Sequence, residues 1–148
     1  GSFSYVEQGA NGGCALTAAK AVECWGSSMD VNTPTTGTYT DLSVGHNHAC
    51  AIDVDNKLSC WGSSSTIENN MPSDTIEFVT TSSALNNTCG LDKDGLLHCW
   101  GESTFTPLGS YYPAFTSVRV GRTHKCAEDI LGGLQCWFHS GTEWPHTP

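Results

Sequence analysis

One stretch is written four times in this chain: a cysteine, nine intervening residues, a second cysteine and a tryptophan. The copies are Cys14 to Cys24–Trp25, Cys50 to Cys60–Trp61, Cys89 to Cys99–Trp100 and Cys126 to Cys136–Trp137. They use all eight cysteines and four of the five tryptophans, and their first cysteines lie 36, 39 and 37 residues apart. A period of that size means a repeat architecture, in which each unit is one supersecondary element that buries its apolar face only against its neighbours.

A common lead-in precedes each pair. An aromatic stands eleven residues before the first cysteine (Phe3, Tyr39, Phe78, Phe115), an aliphatic eight before (Val6, Leu42, Val118) and a glycine five before (Gly9, Gly45, Gly121). The third copy departs, with Thr81 and Ala84 at the last two places. Alternation such as Val118 and Val120 reads as a short strand. The cysteine segment reads as a β-hairpin that sets Cys14 opposite Cys24 and Leu16 opposite Val22. Its counterparts are Ile52 with Leu58, Leu91 with Leu97, and Glu128 with Leu134. Opposed residues on paired strands have Cβ atoms close enough for a disulfide after small adjustment. Eight cysteines allow 105 pairings, and the repeat singles out the four within units. The turns carry Asp53-Val54-Asp55-Asn56, Asp92-Lys93-Asp94-Gly95 and Asp129 to Gly133, residues suited to positive φ. The first copy has Thr17-Ala18-Ala19-Lys20 and is expected to be the least favourable turn. Ala15, Ala51, Gly90 and Ala127 follow the first cysteines and point to the opposite face, where only small residues occur and the neighbouring unit is expected to pack. The equivalent tryptophans are expected between units for the same reason.

The expected fold is all-β, one domain over residues 1–148 with units of about 3–38, 39–75, 76–114 and 115–148. Segments after each tryptophan vary and are rich in Ser, Thr, Pro, Gly and Asn, so they read as loops and as the easiest place for recognition. Large groups stand isolated in them: Met29, Ile67, Met71, Phe105, Phe138, and above all Tyr111, Tyr112 and Trp144, the candidate contact residues.

Other classes lack their chemistry. Lys and Arg number six without a run, against a net charge of −9, so neither nucleic acid nor an anionic membrane surface is an expected partner. No apolar stretch reaches the ~20 residues of a membrane span. Close-spaced Cys pairs of metal sites are absent, and His46 with His48 makes an incomplete coordination shell. Asp53/Asp55 and Asp92/Asp94 resemble the start of a calcium loop but no distal Glu follows. No nucleophile elbow or phosphate loop occurs, so no catalytic residue, metal or cofactor is assigned. Four cystines imply an oxidising, secreted or extracellular setting, and Asn86-Asn87-Thr88 is a glycosylation sequon.

Residues 39–62, with Gly45-His46-Asn47-His48-Ala49-Cys50-Ala51-Ile52, Asp53-Val54-Asp55 and Leu58-Ser59-Cys60-Trp61-Gly62, resemble the regulator of chromosome condensation repeat. The likeness is greatest to its extracellular and bacterial branch, and it extends over four copies. It implies a β-propeller-like fold whose blades are these disulfide-stapled units. It also implies a non-enzymatic binding role through loops on the propeller faces, toward a protein or glycan. Related propellers have about seven repeats. Four blades must therefore close on themselves or form an open arc that pairs with another copy, which leaves a self-assembling structural subunit as the second expected function. Phe138 replaces the glycine found at Gly26, Gly62 and Gly101, marking a terminal unit.

Overall fold

The computed structural model describes residues 1–28, 32–102, 114–140 and 142. Among the described residues, twelve strands form four separate three-stranded antiparallel sheets, each ordered as in the chain. The first holds β1 (Phe3–Gln8), β2 (Gly13–Thr17) and β3 (Val22–Trp25); the second β4 (Tyr39–Val44), β5 (His48–Asp53) and β6 (Leu58–Gly62). The third holds β7 (Phe78–Ala84), β8 (Asn87–Asp92) and β9 (Leu97–Gly101), and the fourth β10 (Phe115–Val120), β11 (His124–Asp129) and β12 (Leu134–Phe138). Each inner strand carries an irregularity at the same place, just after its aromatic.

The hairpin register puts the cysteines opposite one another in all four units. Bridges join Cys14–Cys24, Cys50–Cys60, Cys89–Cys99 and Cys126–Cys136, with Cα separations of 4.0 to 4.1 Å. In each turn one residue takes a left-handed conformation: Lys20, Asn56, Gly95 and Gly132. Three are Asn or Gly, which adopt it at little cost, while Lys20 does so at φ 66° and makes the first turn the least favourable one. The turn aspartates explain themselves: Asp53 Oδ1 accepts the N–H groups of Asp55 and Lys57 at 2.8 and 2.9 Å, and Asp92 and Asp129 repeat the pattern.

The core lies between sheets. Cys14, Leu16 and Val22 on the disulfide face of the first sheet pack against Tyr39, Leu42, Val44, Ala49, Ala51 and Trp61 of the second. Cys50 and Ile52 meet Phe78 and Trp100 in the same way, and Cys89, Leu91 and Leu97 meet Phe115, Val118, Ala127 and Trp137. Thus the disulfide face of one unit covers the aromatic face of the next. Three of the four repeated tryptophans are buried there, but Trp25 of the first sheet, which the repeat also assigns to packing between units, is 43% exposed, with none of the other three sheets packed over it. The four sheets form an open arc.

Two further departures from the sequence reading concern residues 62–75. A short helix α1 (Ser65–Asn69) occupies part of this loop, too brief to show a helical period. Its Ile67 is fully buried between the second and third sheets with Met71 and Ile76 against them, so Ile67 is a core residue and not an exposed contact group.

Candidate partner-binding face

The register decides which segments share an edge of the arc. Gln8 pairs with Gly13 and Gly13 with Trp25, so the β1–β2 connection and the start of the variable segment after β3 lie on the same face. The other units repeat this: Val44 with Ala49 and His48 with Gly62, then Ala84 with Asn87 and Asn87 with Gly101. The glycine after the tryptophan is required here in the first three units. Gly62 holds φ 118°, and a Cβ on it would stand 2.4 Å from the Asn47 carbonyl oxygen.

Connections from successive units touch along this face. A Cβ on Gly9 would meet the Gly45 carbonyl oxygen at 1.9 Å, which is why the lead-in ends in glycine. Asn11 Nδ2 donates to Asn47 Oδ1 at 2.7 Å, and His46 N donates to the Leu85 carbonyl at 2.8 Å. The β1–β2, β4–β5 and β7–β8 connections together line a shallow depression of about 290 Å³ that includes Ala10, His46 and the exposed Leu85.

A second cleft, of about 220 Å³, opens on the axial side between the inner strands, lined by Tyr5, Glu7, Asp41, Thr80, Thr81, Ser82 and Arg119. Its polar groups hold neighbouring sheets together. Val44 N donates to Glu7 Oε2 at 2.7 Å, Thr81 N to Asp41 Oδ2 at 2.6 Å, and Val120 N to Ser82 Oγ at 3.0 Å. Burial raises the Glu7 carboxyl above the usual carboxylate range, opposed by the Val44 N–H. Arg119 occupies the repeat position of Glu7 and Ser82 and donates Nη1–H to the Val118 carbonyl at 2.8 Å.

His48 and His124 share a repeat position but not an environment. His48 is buried, its Nε2 2.8 Å from Thr88 Oγ1, and burial lowers it to about 4. His124 is half-exposed beside Thr123. Burial likewise lowers Lys125, between the third and fourth sheets, to about 8. In the sequon, Asn86 Nδ2 donates to Glu102 Oε1 at 2.8 Å, and the Thr88 hydroxyl is buried against His48 and Ser83. The atom that would carry a glycan is engaged in the folded chain. The candidate residues Tyr111, Tyr112 and Trp144 lie outside the described residues, as do Met29 and Phe105. Among the described residues no three His, Cys, Asp or Glu side chains gather to hold a metal ion, and no helix is long and apolar enough to cross a membrane. Sequence reasoning placed recognition in the variable segments and missed both clefts. Their lining residues sit at repeated positions, and only the register brings them together.

Comparison with known proteins fits this architecture. Residues 39–66 match the regulator of chromosome condensation (RCC1) repeat. No curated protein matches the chain in sequence. Among solved structures, the chain is similar to the CRINKLY WD40 ectodomain of the Arabidopsis thaliana receptor kinase ACR4, with a TM-score of 0.78, 24% identity and coverage of 99% of this chain and 53% of that one. The ectodomain of the Physcomitrella patens receptor kinase CR4 gives 0.79 and 24%, covering 97% and 40%. Yeast RCC1, solved bound to Kap60, gives 0.74 and 15%, covering 98% and 49%. The chain therefore spans about half the length, or less, of these structures. Residues 39–66 match an RCC1 repeat, and the described residues form an arc of four disulfide-stapled blades with the fold of propellers such as these.

Proposed function

We propose that the chain is an extracellular, non-enzymatic binding module that seats a protein partner on the face carrying the β1–β2, β4–β5 and β7–β8 connections. One observation carries this reading: three successive blades bring equivalent connections into one depression, and the variable segments leave from the same edge. Repeated positions supply a rigid, largely apolar floor with exposed Leu85, and the varying segments supply individuality around it. The non-enzymatic part is supported by the axial carboxylates Glu7 and Asp41, each of which already accepts a backbone N–H of the next blade. Four disulfides and the likeness to receptor ectodomains support an extracellular setting. Yeast RCC1, which shares the fold, was solved bound to the protein Kap60.

The test places a photo-crosslinking residue at Leu85 or, as control, at Val54, which is exposed in the β5–β6 turn at the opposite edge. In extracellular fluid from the source, the Leu85 probe is expected to capture one defined protein, competed away by excess unmodified chain. Equal capture at both positions, or capture that excess chain leaves unchanged, overturns the reading. Saturable binding on a glycan array with no protein captured assigns the face to a sugar instead.

A further inference from the structure

Equivalent connections cross the partner-binding edge, and one of them holds a reactive pair. Asn11-Gly12, between β1 and β2, is the one Asn-Gly sequence in the chain; Asn47 and Asn86, in the next two connections, precede His48 and Asn87. The fold demands the glycine. Gly12 holds φ 153°, a conformation that side chains disfavour, and it packs so closely on Gly26 that a Cβ there would stand 2.6 Å from the Gly12 Cα. No side chain therefore shields the Gly12 nitrogen. Among the described residues its N–H makes no hydrogen bond: Gly9 N donates to the Gly12 carbonyl at 2.8 Å, and the reverse bond is absent. Asn11 itself is exposed. The second blade's connection, with sheets packed on both sides of its unit, still leaves His46 and Asn47 half-exposed, so this edge admits water whatever adjoins a blade.

We propose that Asn11 is a site of spontaneous covalent modification, through which the chain acidifies its own partner-binding edge. The Gly12 nitrogen, on losing its proton, bonds to Asn11 Cγ. The Cγ–Nδ2 bond breaks, and the side-chain nitrogen leaves as ammonia. The cyclic imide then takes up one water. Opening at Cγ gives aspartate, and opening at the backbone carbonyl gives isoaspartate. Attack within one chain is favoured when the two groups are already adjacent, and asparagine is among the thermolabile side chains.

Both products change the edge. Asn11 Nδ2 donates to Asn47 Oδ1 at 2.7 Å, tying the first two connections together beside the depression that Ala10 lines. An ionised carboxylate only accepts, so this donor is lost, and one negative charge is added to a chain of −9. Isoaspartate also lengthens the main chain between Gly9 and Gly13. The connection has no slack for it. A Cβ on Gly9 would lie 1.9 Å from the Gly45 carbonyl oxygen, and one on Gly26 2.4 Å from the Asn11 carbonyl oxygen. A longer backbone cannot keep both contacts. That a partner senses the change rests on the reading of this face given above; the modification itself does not.

The test is to incubate the folded chain, disulfides intact, at body temperature and mildly alkaline pH, and to map its peptides by mass spectrometry. Ion exchange and isoaspartyl methyltransferase labelling follow the products. The peptide holding Asn11 is expected to be lost first, as aspartate and isoaspartate, with a shift of the chain to a more acidic form. The rate should rise with pH, because the attacking nitrogen must lose its proton. Asn11→Gln, which disfavours ring closure, should keep its starting retention throughout. Three results overturn the proposal: Asn11 intact in the folded chain after the reduced, unfolded chain has converted; Asn47 or Asn86 converting as fast; or acidification that persists in Asn11→Gln. Asn11→Asp carrying the crosslinking residue at Leu85 should capture less protein than the same probe with Asn11. Equal capture, with Asn11 converting as expected, overturns only the effect on the face.

Discussion

Replacing Trp100 and Trp25 by alanine, one at a time, tests whether the core lies between blades. The two side chains hold the same repeat position, and only the presence of a preceding blade distinguishes them. Trp100 is 1% exposed and packs with Phe78 at a centroid distance of 5.9 Å. A fully buried tryptophan covers about 150–250 Å², and Trp→Ala in a core costs about 3–5 kcal/mol. Trp25, 43% exposed, keeps little more than half of that contact, chiefly against Gly13, and its removal should cost about 2–3 kcal/mol. The expected gap of about 1–2 kcal/mol is read from urea unfolding with disulfides intact, at a concentration low enough to exclude association. Trp100→Phe sharpens the test. The Trp100 Nε1–H is buried with no acceptor among the described residues, so the phenylalanine loses area but also removes an unpaired donor. Its cost should be about 1 kcal/mol or less. Equal losses at Trp25 and Trp100, with unchanged m-values, would mean that burial by the preceding blade contributes nothing and would refute this account of the core.

Lys20→Gly should raise stability by about 1 kcal/mol, because the left-handed conformation at φ 66° is relieved; a lower melting temperature would show that the lysine side chain does something the turn geometry does not require. His48 supplies a pH dependence. Its folded value is lowered to about 4, so below about 6.5 the unfolded chain binds a proton that the folded chain refuses. Stability from this group is complete above about pH 6.5 and falls by up to about 3 kcal/mol as the pH drops toward 4. His48→Asn, the residue type at Asn87 in the third unit, should flatten that part of the profile, and identical pH profiles for the two proteins would contradict the buried neutral imidazole.

Much of the fold was legible because the repeated positions solve a repeated problem. The spacing of Cys50 and Cys60 fixed the hairpin register, and the aspartates and glycines fixed its turn. Small residues at Ala51 and Gly90 followed from close packing: a Cβ on Gly90 would stand 2.8 Å from the Phe78 ring. What the sequence concealed depends on neighbours in space. Trp25 carries the same letters around it as Trp61, yet only Trp61 lies under a neighbouring sheet. Ile67 looked like an isolated loop residue because one turn of helix has no period to read, yet it fills the space between two blades. Glu7 and Arg119 belong to different copies of the same position, and nothing in the linear pattern says that they share a cleft.

The third unit was the least regular copy, and the structure gives its departures a common cause. Thr81 stands for the aliphatic, Thr88 for Ala49, and Ser83 for Val44, three polar residues on a face that is otherwise apolar. All three are paired across or within the junction with the second blade. Ser43 Oγ lies 2.7 Å from Ser83 Oγ, Ser83 Oγ 2.9 Å from Thr88 Oγ1, Thr88 Oγ1 2.8 Å from His48 Nε2, and Thr81 N donates to Asp41. Each polar group would be costly alone and is satisfied only in company. Ser43 and His48 therefore suit the third blade, since the second and fourth blades hold Val44 and Ala49, or Val120 and Lys125, where it has Ser83 and Thr88. The first junction is apolar apart from the Glu7 contact to Val44 N and the third buries Lys125, whereas this central one carries a chain of hydroxyls. Irregularity in the repeat thus gives this junction a set of polar pairings that uniform apolar copies would not make.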